Sequence, residues 1–286
     1  MSLAFRVLAA VLFGCAVAAP VEAARIGILS NRFAAETAAD FNARFTRHSF
    51  TGLDVSSSVP PLATLLADYD VILLFEDNVF VNSTAVGDRV AQFANAGHAV
   101  VLGTFYDQDR SDAIGGTTVP HGWGALETID PNTTDGVGTA YAVRTLDPAS
   151  IVRHPLTSGV TSLAALRGSP GPYAGGNEAK AGTHVVAAWV QANARGAVDP
   201  AIAYRRTGSA CVIHIGIAPD YGVLPTFGTY GMDFGGDFYP AWRNAFDYGA
   251  IGCRAAPVPA LSPWAFATLA LSLLAFAAIT MRRRSR

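Results

Sequence analysis

The chain has 286 residues, 51% of them hydrophobic and 15% charged, with a formal net charge of −2. Residues 24 to 256 hold 15 Lys and Arg against 21 Asp and Glu, and no basic run stands out, which argues against a nucleic-acid partner. The length allows one large domain, or two small ones, between any targeting segments.

Residues 1–23 read as a secretory signal peptide. Arg6 precedes the apolar run 7–19, Pro20 breaks it, and Val21-Glu22-Ala23 offers small side chains where a signal peptidase reads. A membrane helix is the first alternative, but the run is short for a span. A lipoprotein signal is the second, with Leu12-Phe13-Gly14-Cys15 as a lipobox carrying a bulky Phe13.

Next comes a short apolar strand, Arg25 to Leu29. Residues 33 to 46 carry Phe33, Ala34, Ala38, Phe41 and Phe45 three or four apart, a helical stripe. His48 to Val55 is a second strand, and a short helix starts at Pro60-Pro61 and ends near Asp68. Val71 to Phe75 is apolar throughout, as a strand buried on both faces should be. A helix then turns Val86, Val90, Phe93 and Ala94 inward and stops at Gly97, before the apolar strand Ala99 to Leu102. This alternation predicts parallel pairing in an α/β layered domain.

The pattern then loosens. Residues 105 to 140 are rich in Gly, Asp, Thr and Pro and read as a long loop, a length that usually carries function. Tyr141 to Thr145, Ser162 to Arg167, His184 to Gln191 and Ala201 to Arg205 read as strands, the last three forming an antiparallel extension. Cys211 to Ile217 is a strong strand, Gly222 to Gly236 a glycine- and aromatic-rich loop, and Tyr239 to Gly249 a closing helix. Cys15 leaves with the signal peptide, so Cys211 and Cys253 remain. An oxidising compartment invites one bridge between them. A helix returning antiparallel along the Cys211 strand would bring Cys253 to the strand's beginning.

The C-terminus opens at Pro257-Val258-Pro259. Residues 264 to 281 carry no charge and, as a helix, would reach about 27 Å, roughly a hydrocarbon core. Arginines 282, 283, 284 and 286 follow, and a basic cluster stays cytoplasmic, so the domain is expected outside. Val258-Pro259-Ala260-Leu261-Ser262-Pro263-Trp264, the apolar segment and the arginines together resemble the IPTL-CTERM sorting signal, a relative of the PEP-CTERM tails of Gram-negative bacteria. Pro259, Leu261, Ser262 and Trp264 fit that signal; Val258 and Ala260 depart from it. The resemblance implies an exosortase-like sorting protease and inner-membrane lipid as partners. The expected location is the periplasm, or the cell surface after sorting.

The domain itself resembles the class I glutamine amidotransferase-like, flavodoxin-like fold, especially its ThuA-like branch. The resemblance rests on Leu66 to Leu73, Phe93 to Val101, His154 to Val160 and Trp242 to Phe246. It implies a three-layer α/β domain with a mostly parallel sheet. It also implies a nucleophilic cysteine after the strand at Ala99 to Leu102, and His-x-Glu after the strand at Cys211 to Ile217. Here those places read Gly103-Thr104-Phe105 and Ala218-Pro219-Asp220-Tyr221. Threonine without a base is a poor nucleophile, so glutamine hydrolysis is not expected.

What remains at the strand ends is acidic and aromatic: Glu76, Asp77, Tyr106, Asp107, Asp109, Asp220 and Tyr221. Ligands of open α/β sheets bind in this crevice. Asp77, Asp107, Asp109 and Asp220 are the candidate carboxylates for an extracellular glycan hydrolase. Tyr106, His121, Trp123 and Tyr221 are candidate ligand contacts. The competing reading makes all of them ordinary solvated loop residues. No histidine pair has metal-ligand spacing, and neither a metal nor a cofactor is expected. The favoured expectation is a non-catalytic binding or structural module that contacts extracellular polysaccharide.

Overall fold

Seven strands form the central sheet. The computed structural model describes residues 23–75, 82–104, 111–114, 117–120, 122–133, 142–167, 174–223 and 233–253. The signal peptide, the sorting motif, the apolar segment 264–281 and the basic tail lie outside these. Among the described residues no helix is long and apolar enough to cross a membrane.

The strands are β1 (Arg25–Ser30), β2 (Ser49–Asp54), β3 (Val71–Leu74), β4 (Ala99–Gly103), β5 (Ser111–Ile114), β6 (Thr117–Pro120), β7 (Arg144–Thr145), β8 (Leu163–Arg167), β9 (His184–Ala188), β10 (Pro200–Thr207), β11 (Ala210–Ile215) and β12 (Asp233–Gly236). The helices are α1 (Ala34–Arg44), α2 (Leu62–Asp68), α3 (Ser83–Asn95) and α4 (Phe238–Ala250). The sheet order is β2-β1-β3-β4-β11-β10-β9. The first five strands are parallel; β10 runs antiparallel to β11, and β9 antiparallel to β10. The result is a mixed α/β domain with a mostly parallel main sheet.

Side-chain alternation sorts the core into two layers. Val71, Leu73, Phe75, Ala99 and Val101 join Phe41 of α1 and Trp242 and Phe246 of α4 on one face. Ile72, Leu74, Val100 and Leu102 join Leu65 of α2 and Val86, Val90 and Phe93 of α3 on the other. Continuous apolar runs therefore suit the central strands, because both faces are covered. Phe246 meets Phe41 and Phe50 edge-on at 5.6 and 5.1 Å, a favoured aromatic geometry. At the outer edge, the Asn42 side chain donates to the Phe50 carbonyl and accepts from its amide, at 2.8 and 2.9 Å. That closes part of an open strand edge.

Where the pattern loosened, the structure is more ordered than expected. Within the stretch read as a loop, β5 and β6 pair as a hairpin, and Gly124–Thr128 forms a 3-10 helix. Ile114 pairs with Thr117 across Gly115-Gly116, a turn signal that hydropathy alone does not weigh. Asp233–Gly236, read as loop, is β12. It pairs with β8, and β8 with the two-residue β7, in a separate antiparallel sheet. Only β9 and β10 extend the main sheet.

Three local features fix the framework. Cys211, the second residue of β11, is disulfide-bonded to Cys253, with Cα atoms 5.9 Å apart. Gly87 in α3 packs against the Trp123 backbone so closely that a Cβ there would overlap the Trp123 carbonyl. Gly87→Ala is expected to lower stability by about 1–3 kcal/mol through overpacking. An unchanged urea midpoint would show that α3 can simply move away. At the start of α4, the Asp237 carboxylate accepts from the Thr161 and Ser162 amides at 2.8 and 3.0 Å.

Those amides, with the Thr161 and Ser162 hydroxyls, hold the Asp237 carboxyl below its ordinary 3.8. A depressed folded value means this contribution is present above the unfolded pKa and is lost as pH falls through the folded one. Asp237→Asn is therefore expected to lose less thermal stability than wild type between pH 5 and 2. Parallel pH profiles of the melting midpoint would refute that.

Candidate functional site

The parallel strands deliver two turns side by side at their C-terminal ends. β4 ends at Gly103, followed by Thr104. A Cβ on Gly103 would lie 2.9 Å from Pro219, 3.1 Å from Trp242 and 3.3 Å from Phe75. Only glycine lets these three elements converge so closely. Thr104 is fully buried, and its hydroxyl has no hydrogen-bond partner among the described residues. After β11 the chain enters the 3-10 turn Pro219–Gly222, where Asp220 is 1% exposed and Tyr221 fully buried.

These positions correct several expectations. Tyr221 is a core residue whose ring packs edge-on against Phe234 and Phe238 at 6.1 and 6.4 Å. Trp123 is 1% exposed and belongs to the apolar layer under α3. Neither ring offers an open face on which a sugar could stack. Asp220 lies inside the protein, not on a solvated loop. Glu76, Asp77, Tyr106, Asp107, Asp109 and His121 lie outside the described residues. Among the described residues, no group of three or more His, Cys, Asp or Glu is placed to hold a metal.

A polar cluster whose members the sequence does not bring together lies beside the end of β11. Arg144, 4% exposed, donates from Nε to the fully buried Asp199 carboxylate at 3.0 Å. Asp199 also accepts from the amides of Gly176 and Asn177 at 2.6 and 3.1 Å. Burial pushes the Asp199 carboxyl up, while the two amides and the guanidinium pull it back. This anchor clamps the segment 175–177 over the sheet.

Asn177 Nδ2 then lies 3.2 Å from His214 Nε2 of β11, and Asn193 Nδ2 donates to the Asn177 carbonyl at 2.8 Å. A Cβ on Gly216 would sit 3.0 Å from Trp189 Nε1 and 3.1 Å from His214 Nε2, so the indole and imidazole nitrogens converge on this glycine. Asn132 bridges Ala179, two residues beyond Asn177. Burial pushes the His214 imidazole down to about 3, so it is neutral at any ordinary pH.

Among the described residues, four buried polar atoms of this cluster have no hydrogen-bond partner: Asn132 Oδ1 and Nδ2, Asn177 Oδ1 and Trp189 Nε1. Leaving such a group unsatisfied costs about 1–3 kcal/mol, so proteins keep these arrangements where water or a ligand completes them. Chemically, the cluster supplies neutral donors and acceptors. It contains no nucleophile–base pair.

No family model matches the sequence, and no curated protein matches it. Several solved structures match the chain at low similarity. A β-galactosidase from Rahnella sp. R3 matches at 14% identity with a TM-score of 0.43, over 79% of this chain and 31% of that one. A ThuA-like protein from Bacteroides uniformis matches at 13% identity with a TM-score of 0.42, over 83% of this chain and 93% of that one. The carbohydrate deacetylase Agd3 matches at 12% identity with a TM-score of 0.33, over 70% and 31%. This chain spans about a third of the length of both enzymes. At such identities, no site residue is carried over from them.

Proposed function

We propose that the chain is an exported, envelope-anchored protein whose α/β domain, of the ThuA-like, flavodoxin-like type, binds a ligand without turning it over. The observation that carries this reading is the pair of turns after β4 and β11. Where an amidotransferase would place cysteine and histidine, this chain places a buried threonine hydroxyl and the buried pair Asp220-Tyr221. Export and anchoring are supported by the apolar N-terminus, by two cysteines that can pair in an oxidising compartment, and by the apolar, arginine-ended tail. In this reading an exosortase-like protease and inner-membrane lipid are the partners of the tail.

The cluster of Asn132, Asn177, Trp189 and His214 is 0–4% exposed, so of an extracellular polysaccharide it takes no more than a single inserted hydroxyl, which its neutral donors and acceptors suit. Its groups donate and accept without net charge. The test uses the detergent-solubilised full chain against envelope polysaccharides. Trp189→Phe removes a donor that has no hydrogen-bond partner among the described residues and is expected to weaken binding about tenfold, roughly one hydrogen bond. Trp189 is a core residue, so the variant also melts lower and binding is compared well below both midpoints. Binding should also be flat between pH 5 and 8, because His214 does not titrate there. Failure to bind, or binding indifferent to Trp189→Phe and Asn177→Ala, would sink the reading. Sugar release abolished by Asp220→Asn would overturn its non-catalytic part.

A further inference from the structure

A second site lies at the opposite end of the sheet, where β1 and β2 begin. A cleft of about 610 Å³ opens between the C-terminal end of α1 and the outer face of α4. Arg44, Arg47 and Arg243 line it, with one carboxylate, Asp247. Arg44 is matched by Asp40 and Arg47 by Asp247, which leaves one uncompensated positive charge, that of Arg243, in a domain with more acidic than basic residues.

The cleft is built rather than loose. The Arg44 guanidinium lies over the Tyr239 ring at 4.0 Å and donates to Asp40 at 2.8 Å, and the Tyr239 hydroxyl donates to Asp40 at 3.1 Å. Arg47 reaches Asp247 at 3.3 Å. His48 is 1% exposed; its Nδ1 accepts from the Ala24 amide at 3.1 Å and its Nε2 faces Asp247 at 2.9 Å. The imidazole thus holds Asp247 in place and has no nitrogen left for a ligand. Arg44 and Arg47 also suit the negative end of the α1 dipole. That does not account for Arg243, which sits in the middle of α4, is exposed, and makes no ion pair among the described residues.

We infer that this cleft is an anion site for a phosphate group, held by Arg47 and Arg243 with Arg44 as a pre-oriented wall. A phosphate group brings about one negative charge as a diester and about 1.5 to 2 as a monoester to the one positive charge that the lining leaves uncompensated, and the planar guanidinium fork suits its oxygens. The phosphate belongs either to a lipid headgroup or to a free small molecule. The site itself does not rest on the envelope reading; only the headgroup source does.

The experiment has two arms. Inorganic phosphate is titrated by calorimetry into the detergent-solubilised full chain, and the melting midpoint is compared in nanodiscs of phosphatidylglycerol and of phosphatidylcholine. Saturable phosphate binding is expected, weakened at least tenfold by Arg243→Ala and abolished in Arg47→Ala/Arg243→Ala. Both side chains are exposed, and an unchanged melting midpoint in phosphate-free detergent verifies folding. A midpoint raised by phosphatidylglycerol in wild type but not in the double variant assigns the headgroup. Phosphate binding without that lipid effect assigns a free phosphate ligand and rejects the headgroup source. No response in either arm, or a response unchanged in the double variant, overturns the site.

Discussion

Asp199→Ala is expected to destabilise the protein by about 3–5 kcal/mol, because it removes the carboxylate from a buried ion pair and leaves the charge opposite it. Arg144 would keep its guanidinium at 4% exposure without the oxygen now 3.0 Å from Nε. The Gly176 and Asn177 amides would lose their acceptor as well. Asp199→Asn should cost less, since its carbonyl can still take one amide. Replacing both partners, Arg144→Leu with Asp199→Leu, should be milder than either single change if desolvation dominates. Urea unfolding followed by tryptophan fluorescence measures each of these variants. A loss under about 1 kcal/mol for Asp199→Ala would mean that the pair contributes little and that Asn177 is held by other means.

The second large effect is expected from the disulfide. Its 42-residue separation puts the chain-entropy stabilisation at about 4 kcal/mol. Cys211→Ser/Cys253→Ser should lose roughly that amount, and both side chains are almost fully buried, so the hydroxyls add a desolvation penalty. Cys211→Ala/Cys253→Ala separates the two contributions. Reduction of the wild type should reproduce the alanine variant. A reduced protein as stable as the oxidised one would show that the unfolded chain is already constrained in this region.

How much of this was legible in the sequence depends on where each residue's partner lies. β3 and β4 could be read from composition alone, because a strand covered on both faces shows no alternation and needs none. α1 and α4 were legible from single apolar stripes, Phe41 and Phe45 in one and Trp242 and Phe246 in the other. β12 was not, because Asp233-Phe234-Gly235-Gly236 reads as loop until β8 is beside it. Trp123 was misread for a related reason. In a glycine-rich stretch an aromatic looks exposed, and only Gly87, distant in sequence, makes room to bury it.

The polar cluster left no pattern either. Asn132, Asn177, Trp189 and His214 follow no spacing, and amides do not attract attention as acids or bases do. The arginine cleft was equally hidden. No basic run exists in the domain, yet folding brings Arg243 to Arg44 and Arg47 from the other end of the chain.

The bridge between Cys211 and Cys253 also sets how the domain would bear a mechanical load. Any pull on the chain beyond Cys253 passes through sulfur into β11, which lies inside the sheet between β4 and β10. Force would then reach two flanking strands at once, and α4 would hang outside the load path. Without the bridge the same pull would enter at the end of α4 and unwind it turn by turn. The oxidised domain should therefore resist extension from its C-terminus far better than the reduced one, even at tensions that leave its equilibrium stability untouched.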